Sequence, residues 1–153
     1  MKKSKIIDEI TATLGEYVLE YIIYLDSGYD SYRSLKLLSM KEDTRTITRE
    51  LKEAVNRIQN GVSFSKALSG ISDRIYETNL DTFLRTVSRG FIRGEAGMQA
   101  DLRILVERIL YEEIAAKKIK AEKASTKLSL PITIIFIAII LISVYPALAQ
   151  FKL

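Results

Sequence analysis

A chain of 153 residues with net charge +4 is the size of one domain plus an anchoring segment. It has no cysteine and no histidine, which excludes disulfide staples, thiolate or imidazole metal sites, and every Ser-His or Cys-His catalytic relay. Residues 1–116 carry 17 basic and 18 acidic side chains, whereas 117–127 carry five lysines and one glutamate, so the basic excess is local and argues against a nucleic-acid-binding face.

The N-terminus, MKKSKIIDEITATLGEY, opens with lysines, but Asp8, Glu9 and Glu16 interrupt any apolar core, so it does not read as an export signal. Ile6, Ile10, Leu14, Tyr17, Val18, Tyr21, Ile22 and Leu25 recur at steps of three and four. That periodicity predicts a long first helix with one wide apolar face, stopping at Gly28. Asp30 or Ser31 then caps a short second helix running to about Met40. Ile47, Leu51, Val55 (or Ala54) and Ile58 mark a third helix ending at Asn60-Gly61. Ser63 caps a fourth, SFSKALSGI, and Ile75, Leu80, Phe83, Leu84, Val87 and Phe91 set a fifth running to Gly94. Beyond Gly97, a sixth shows Leu102, Leu105, Val106, Ile109 and Leu110, and its continuation through the lysines towards the membrane is left open. No stretch alternates with period two, so the expected class is all-α, a six-helix bundle.

The last stretch, Leu128 to Phe151, contains no charge. About 20 apolar residues cross a hydrocarbon core of roughly 30 Å, so a transmembrane helix over 128–149 is expected, with 150–153 as a short extracytoplasmic tail. Lys117, Lys118, Lys120, Lys123 and Lys127 precede it, as a cytoplasmic boundary requires. Pro131 opens the span and Pro146 lies near its end, where kinks cost little, beside Tyr145 as an interfacial anchor. Residues 1–127 are therefore read as a cytoplasmic bundle on a single-pass anchor in the cell membrane.

Catalytic chemistry finds little support. There is no G-x-x-x-x-G-K-S/T cradle, and Asp8-Glu9 and Glu112-Glu113 read as solvated helix faces. Asp30, Glu95 and Asp101 fall near expected helix starts, where a carboxylate favours the helix dipole; Glu95 is also the one placed to touch a partner or a divalent ion. Tyr17, Tyr21, Tyr24, Tyr29 and Tyr32 crowd the first two helices, either as core or as an interface with a second copy. No cofactor, no metal and no enzymatic activity are expected.

Two corners look alike: Gly28-Tyr29-Asp30-Ser31-Tyr32-Arg33-Ser34-Leu35 and Gly61-Val62-Ser63-Phe64-Ser65-Lys66-Ala67-Leu68. Any αα-corner tends to this pattern. Their order, the Gly94-Glu95-Ala96-Gly97 corner, the run Glu122 to Pro131 and the closing apolar span together resemble the type II secretion system F domain, over roughly Leu14 to Leu148. That is the inner-membrane platform fold of type II secretion, type IV pilus, Tad pilus and archaeal flagellum assemblies, and the short tail is similar to the Tad-like branch. The resemblance implies a non-catalytic scaffold that couples a cytoplasmic secretion ATPase to pilin-like subunits. It implies membrane lipid and a second F-domain protein or homo-oligomer as partners. The family-like corner residues are Gly28, Gly61, Ser63, Leu68, Gly94, Glu95 and Gly97. Family members usually carry membrane helices before the domain, and none is read here. A tail-anchored adaptor unrelated to secretion is the alternative function.

Overall fold

The computed structural model describes the backbone of residues 2–94 and 96–150, and the side chains of 4–94, 96–119, 134–140 and 142. The described residues are helical, in the order α1 (Lys2–Asp26), α2 (Ser31–Ser39), α3 (Thr46–Gln59), α4 (Phe64–Arg74), α5 (Thr78–Arg93) and α6 (Ala96–Gln150). By contact the chain divides into two units, Met1–Glu112 and Glu113–Leu153.

In the first unit the apolar periodicities become one core. Ile10, Leu14, Tyr17, Val18, Tyr21, Ile22 and Leu25 of α1 are buried together with Leu35, Leu51, Leu68 and Phe83. Each such side chain removed from water stabilises the fold by about 1.5–3 kcal/mol. α1 packs against α2, α3 and α5, and successive helices from α2 to α5 pack on one another. At the centre the Tyr21 and Phe83 rings meet edge-on, 5.5 Å between centroids and 85° between planes. Tyr17 and Tyr21 are thus core residues, Tyr24 and Tyr32 are partly buried against the core, and Tyr29 is exposed.

The two look-alike corners are true structural repeats. Gly28 and Gly61 hold φ of 88° and 89°. Gly28 N–H donates to Leu25 O and Tyr29 N–H to Tyr24 O; Gly61 N–H donates to Ile58 O and Val62 N–H to Arg57 O. This is the Schellman pattern, in which a left-handed residue lets the chain satisfy the last carbonyls before turning. Seven residues on, Leu35 and Leu68 are both fully buried. The corners differ in their caps. Asp30 accepts from Arg33 N–H, whereas Ser63 occupies the N-cap of α4 without a side-chain cap bond.

Other caps depart from expectation. Glu9, on α1, accepts from Thr46 N–H and Thr46 Oγ1, so the first turn of α3 is capped by a side chain 37 residues away. Ile75 belongs to the end of α4, with extended backbone, and α5 opens instead at Glu77, whose carboxylate accepts from Asn79 and Leu80 N–H. Asp101 lies beyond the first turn of α6, which holds no acid. Phe91 is half-exposed, stacked on Phe64 with centroids 4.2 Å apart, and Leu110 is also exposed.

The six bundle helices and the following spanning helix do not appear as separate elements: the sixth helix continues through the lysines, and α6 runs unbroken from Ala96 to Gln150. The lysine-rich run does not forbid helix, and α6 carries Pro131 in its interior at the cost of one i→i−4 hydrogen bond, about 3 kcal/mol. Among the described residues no helix is long and apolar enough to cross a membrane. Of the expected span, the side chains of 128–133, 141 and 143–149 lie outside the described residues. Those that are described, Ile134, Ile135, Phe136, Ile137, Ile139, Ile140 and Ile142, are all exposed.

Candidate functional site

Two polar regions of the first unit can do more than pack. The first is the seam where the α2–α3 loop crosses α1. Tyr17 is fully buried, and its hydroxyl donates to Asp43 Oδ2 at 2.8 Å and shares a hydrogen bond with Thr48 Oγ1. Lys41 Nζ lies 4.6 Å from the centre of the Tyr17 ring and bonds Glu16 and Glu20 at 3.0 and 2.6 Å. Arg45 bonds Glu16 at 2.7 Å. A cation over an aromatic face gains from the ring quadrupole as well as from its carboxylates.

The electrostatics follow from these contacts. Hydrogen bonds from Arg45 and Lys41 hold the Glu16 carboxyl below its usual range. Burial pushes the Tyr17 hydroxyl up. Burial opposes the charge of Lys41, but Glu20 and Glu16 outweigh it and hold the ammonium above its ordinary range. Burial works against the Asp43 carboxylate too, yet Thr48 and Tyr17 hold its pKa down. The resolved carboxylate shifts here favour the ionised form, the opposite of what a general acid needs. The seam is a clasp.

The second region is a groove of about 760 Å³ between α4 and α5. Ser65, Ser69, Ser72 and Ser88 line it with Leu68 and Leu84 beneath. Ser88 Oγ donates to Ser65 Oγ at 2.7 Å. The Ser72 hydroxyl is buried with no hydrogen-bond partner. Lys66 and Asp73 come from α4, and Asp81, Arg85 and Arg89 from α5. A smaller hollow of about 150 Å³ shares Arg89 and reaches Arg93, Gly94, Gly97 and Asp101.

The structure thus brings Ser63, Gly94 and Gly97 to the walls of these hollows, while Gly28 and Gly61 serve the turns and Leu68 the core. Glu95 lies outside the described residues, as do the side chains of Lys120, Lys123, Lys127, Pro131, Tyr145 and Pro146. Lys117 and Lys118 are exposed. Glu112 is not merely a solvated acid: it accepts from Asn79 Nδ2 at 2.9 Å. Sequence reasoning missed the groove altogether. The visible signal was the spacing Arg85, Arg89, Arg93 opposite Ser65, Ser69, Ser72. Among the described residues no group of three or more carboxylates is placed to hold a metal ion.

A family model described as type II secretion system (T2SS), protein F matches residues 18–146. The chain belongs to this family. Membership places it among the inner-membrane platform proteins of secretion and pilus-assembly machinery. No curated protein and no solved structure matches it significantly.

Proposed function

We propose that this T2SS protein F family member is a non-catalytic platform component of a type II secretion or type IV/Tad pilus-like assembly, nearest the Tad branch. In this reading the helical bundle, residues 1–127, is cytoplasmic and couples a secretion ATPase to the assembly of pilin-like subunits. Residues 128–149 cross the membrane once. A second F-domain protein or another copy of the chain completes the platform. The mechanism is conformational coupling rather than bond chemistry, a reading supported by membership of the family.

The observation that carries the reading is the single family match spanning both the bundle and the apolar stretch, residues 18–146. The physics of that stretch supports it. Successive helical residues are 100° apart, so exposure of every residue from 134 to 140 means that the helix is apolar and open on all faces. Such a surface needs a hydrocarbon solvent or a protein sheath. Lys117 and Lys118 are exposed ahead of it, as a headgroup-facing collar requires.

Co-purification from native membranes tests the whole reading: a secretion ATPase and a second F-domain protein should come with the chain. Recovery of neither points to a tail-anchored adaptor. Ile137→Arg tests the anchor, since a mid-span arginine costs about 2.5–3.5 kcal/mol. The variant should leave the membrane fraction. If it stays bound, residues 128–149 are not the anchor. A reporter at the N-terminus should be cytoplasmic.

A further inference from the structure

Among the described residues, the α4–α5 groove holds two cations outside any ion pair, Lys66 and Arg89, against one such carboxylate, Asp73, and the adjoining hollow adds Arg93. Arg85 is held by Asp81 at 2.8 Å, but Arg89 reaches only Thr86 Oγ1 at 3.4 Å. Among the described residues, Lys66, Arg89 and Arg93 have no carboxylate within ion-pair distance. Arg85, Arg89 and Arg93 succeed one another every four residues along α5, a rise of about 6 Å per step. Charges strung out in this way match a chain of carboxylates better than a single phosphate, which needs donors converging on one point. The groove is also concave, so a flat layer of lipid headgroups cannot enter it. Its serine side chains are small enough for another backbone to approach, and the accessible hydroxyls of Ser65, Ser69 and Ser88 keep acceptor capacity for that backbone.

We propose that this groove, continued past Arg89 into the adjoining hollow that holds Arg93, docks an acidic segment of a partner protein, its carboxylates meeting Lys66 and Arg89 in the groove and Arg93 in the hollow, its backbone lying along the serine floor. The inference rests on the platform reading and names the chemistry by which a partner is held. Such a contact is electrostatically steered and weakens with salt.

The test uses the full chain in detergent and a fluorescein-labelled peptide with glutamate at every fourth residue. Anisotropy should show saturable binding that falls as salt is added. The triple variant K66Q/R89Q/R93Q should bind about tenfold or more weakly, the loss of at least one charge-assisted hydrogen bond. The control K36Q/K52Q, exposed on α2 and α3, should bind as the parent does. Circular dichroism verifies that both variants are folded. No binding by the parent chain, equal binding by the triple variant, or equal losses in both variants overturns the proposal. Displacement of the peptide by inorganic phosphate at matched charge overturns it in favour of a small-anion site. Binding of phosphatidylglycerol vesicles through the same three residues overturns it in favour of lipid. Any of these results leaves the Ile137→Arg release and the ATPase co-purification untouched, so the groove and the platform reading fail separately.

Discussion

At the α1–α3 seam, Lys41 and Arg45 are spent on Glu16 and Glu20 and sit over the Tyr17 ring; along α5, Arg89 and Arg93 are exposed and, among the described residues, enter no ion pair. Both regions are polar helix–helix junctions in one small bundle. The difference lies in what is buried beneath them. The seam covers a fully buried tyrosine hydroxyl, and an unmet hydroxyl there would cost about 1–3 kcal/mol, so its polar groups close on one another. The groove covers mainly serines and two leucines, which leaves its cations at liberty to meet something else. Closed networks hold a fold, and open ones are where partners attach.

The comparison is broken most strongly at Tyr17. Tyr17→Ala removes a fully buried ring and the partner of both Asp43 and Thr48, and should cost about 3–5 kcal/mol in a denaturant titration of the bundle. Tyr17→Phe keeps the ring and removes only the hydroxyl, and should cost about 1–3 kcal/mol. If the two variants are equally stable, packing of the ring contributes nothing and the seam is not built as described.

Gly90→Ala probes the other side of α5. A methyl group there would lie 2.8 Å from Met98 Cβ and Cγ, so the stem of Met98 and not merely its tip stands in the way. Overpacking of this kind should cost about 1–3 kcal/mol. A variant as stable as the parent would mean that α5 and α6 can separate there at no cost, and that the hollow between Arg93 and Asp101 is plastic.

Acid should weaken the seam. The Glu16 and Asp43 carboxylates are depressed below their ordinary values of 4.5 and 3.8. A depressed carboxylate contributes stability that is complete above its unfolded value and is lost as pH falls through its folded value. The denaturation midpoint should therefore fall as the buffer is taken below about pH 4.5, and Asp43→Asn should flatten that fall. Lys41 works at the other end. Its raised pKa gives stability that is present below its ordinary 10.5 and is lost as pH rises beyond it.

Much of this fold was legible because helical periodicity is a local signal. Ile10, Leu14, Tyr17, Val18, Tyr21, Ile22 and Leu25 are separated by threes and fours and all face the core. The Gly28 and Gly61 corners were equally local, since a left-handed residue after an apolar run predicts a Schellman turn from a few residues. What escaped depends on contacts distant in sequence. Glu9 capping α3 and Lys41 lying on Tyr17 join residues more than twenty positions apart, and no spacing rule reports them. The groove escaped for a related reason. Its serines sit on α4 and its arginines on α5, so neither helix alone looks like a site. Whether the sixth helix ran on through the lysines stayed open in the sequence, because a change of composition does not mark a helix end: the backbone passes from charged to apolar residues without interruption.

The smallest expected effect is the most discriminating. Ser65 and Ser88 share a hydrogen bond on a half-open surface, so removing both hydroxyls together deletes donor and acceptor as a pair and strands neither. Ser65→Ala/Ser88→Ala should therefore change stability by no more than about 0.5 kcal/mol. A seam double variant such as Tyr17→Phe/Thr48→Ala also deletes a bonded pair, but it leaves Asp43 without its buried donors and should still destabilise. If the serine pair proves as costly as the seam pair, the groove is part of what holds the bundle together, and its exposed arginines lose their claim to be a surface kept open for a partner.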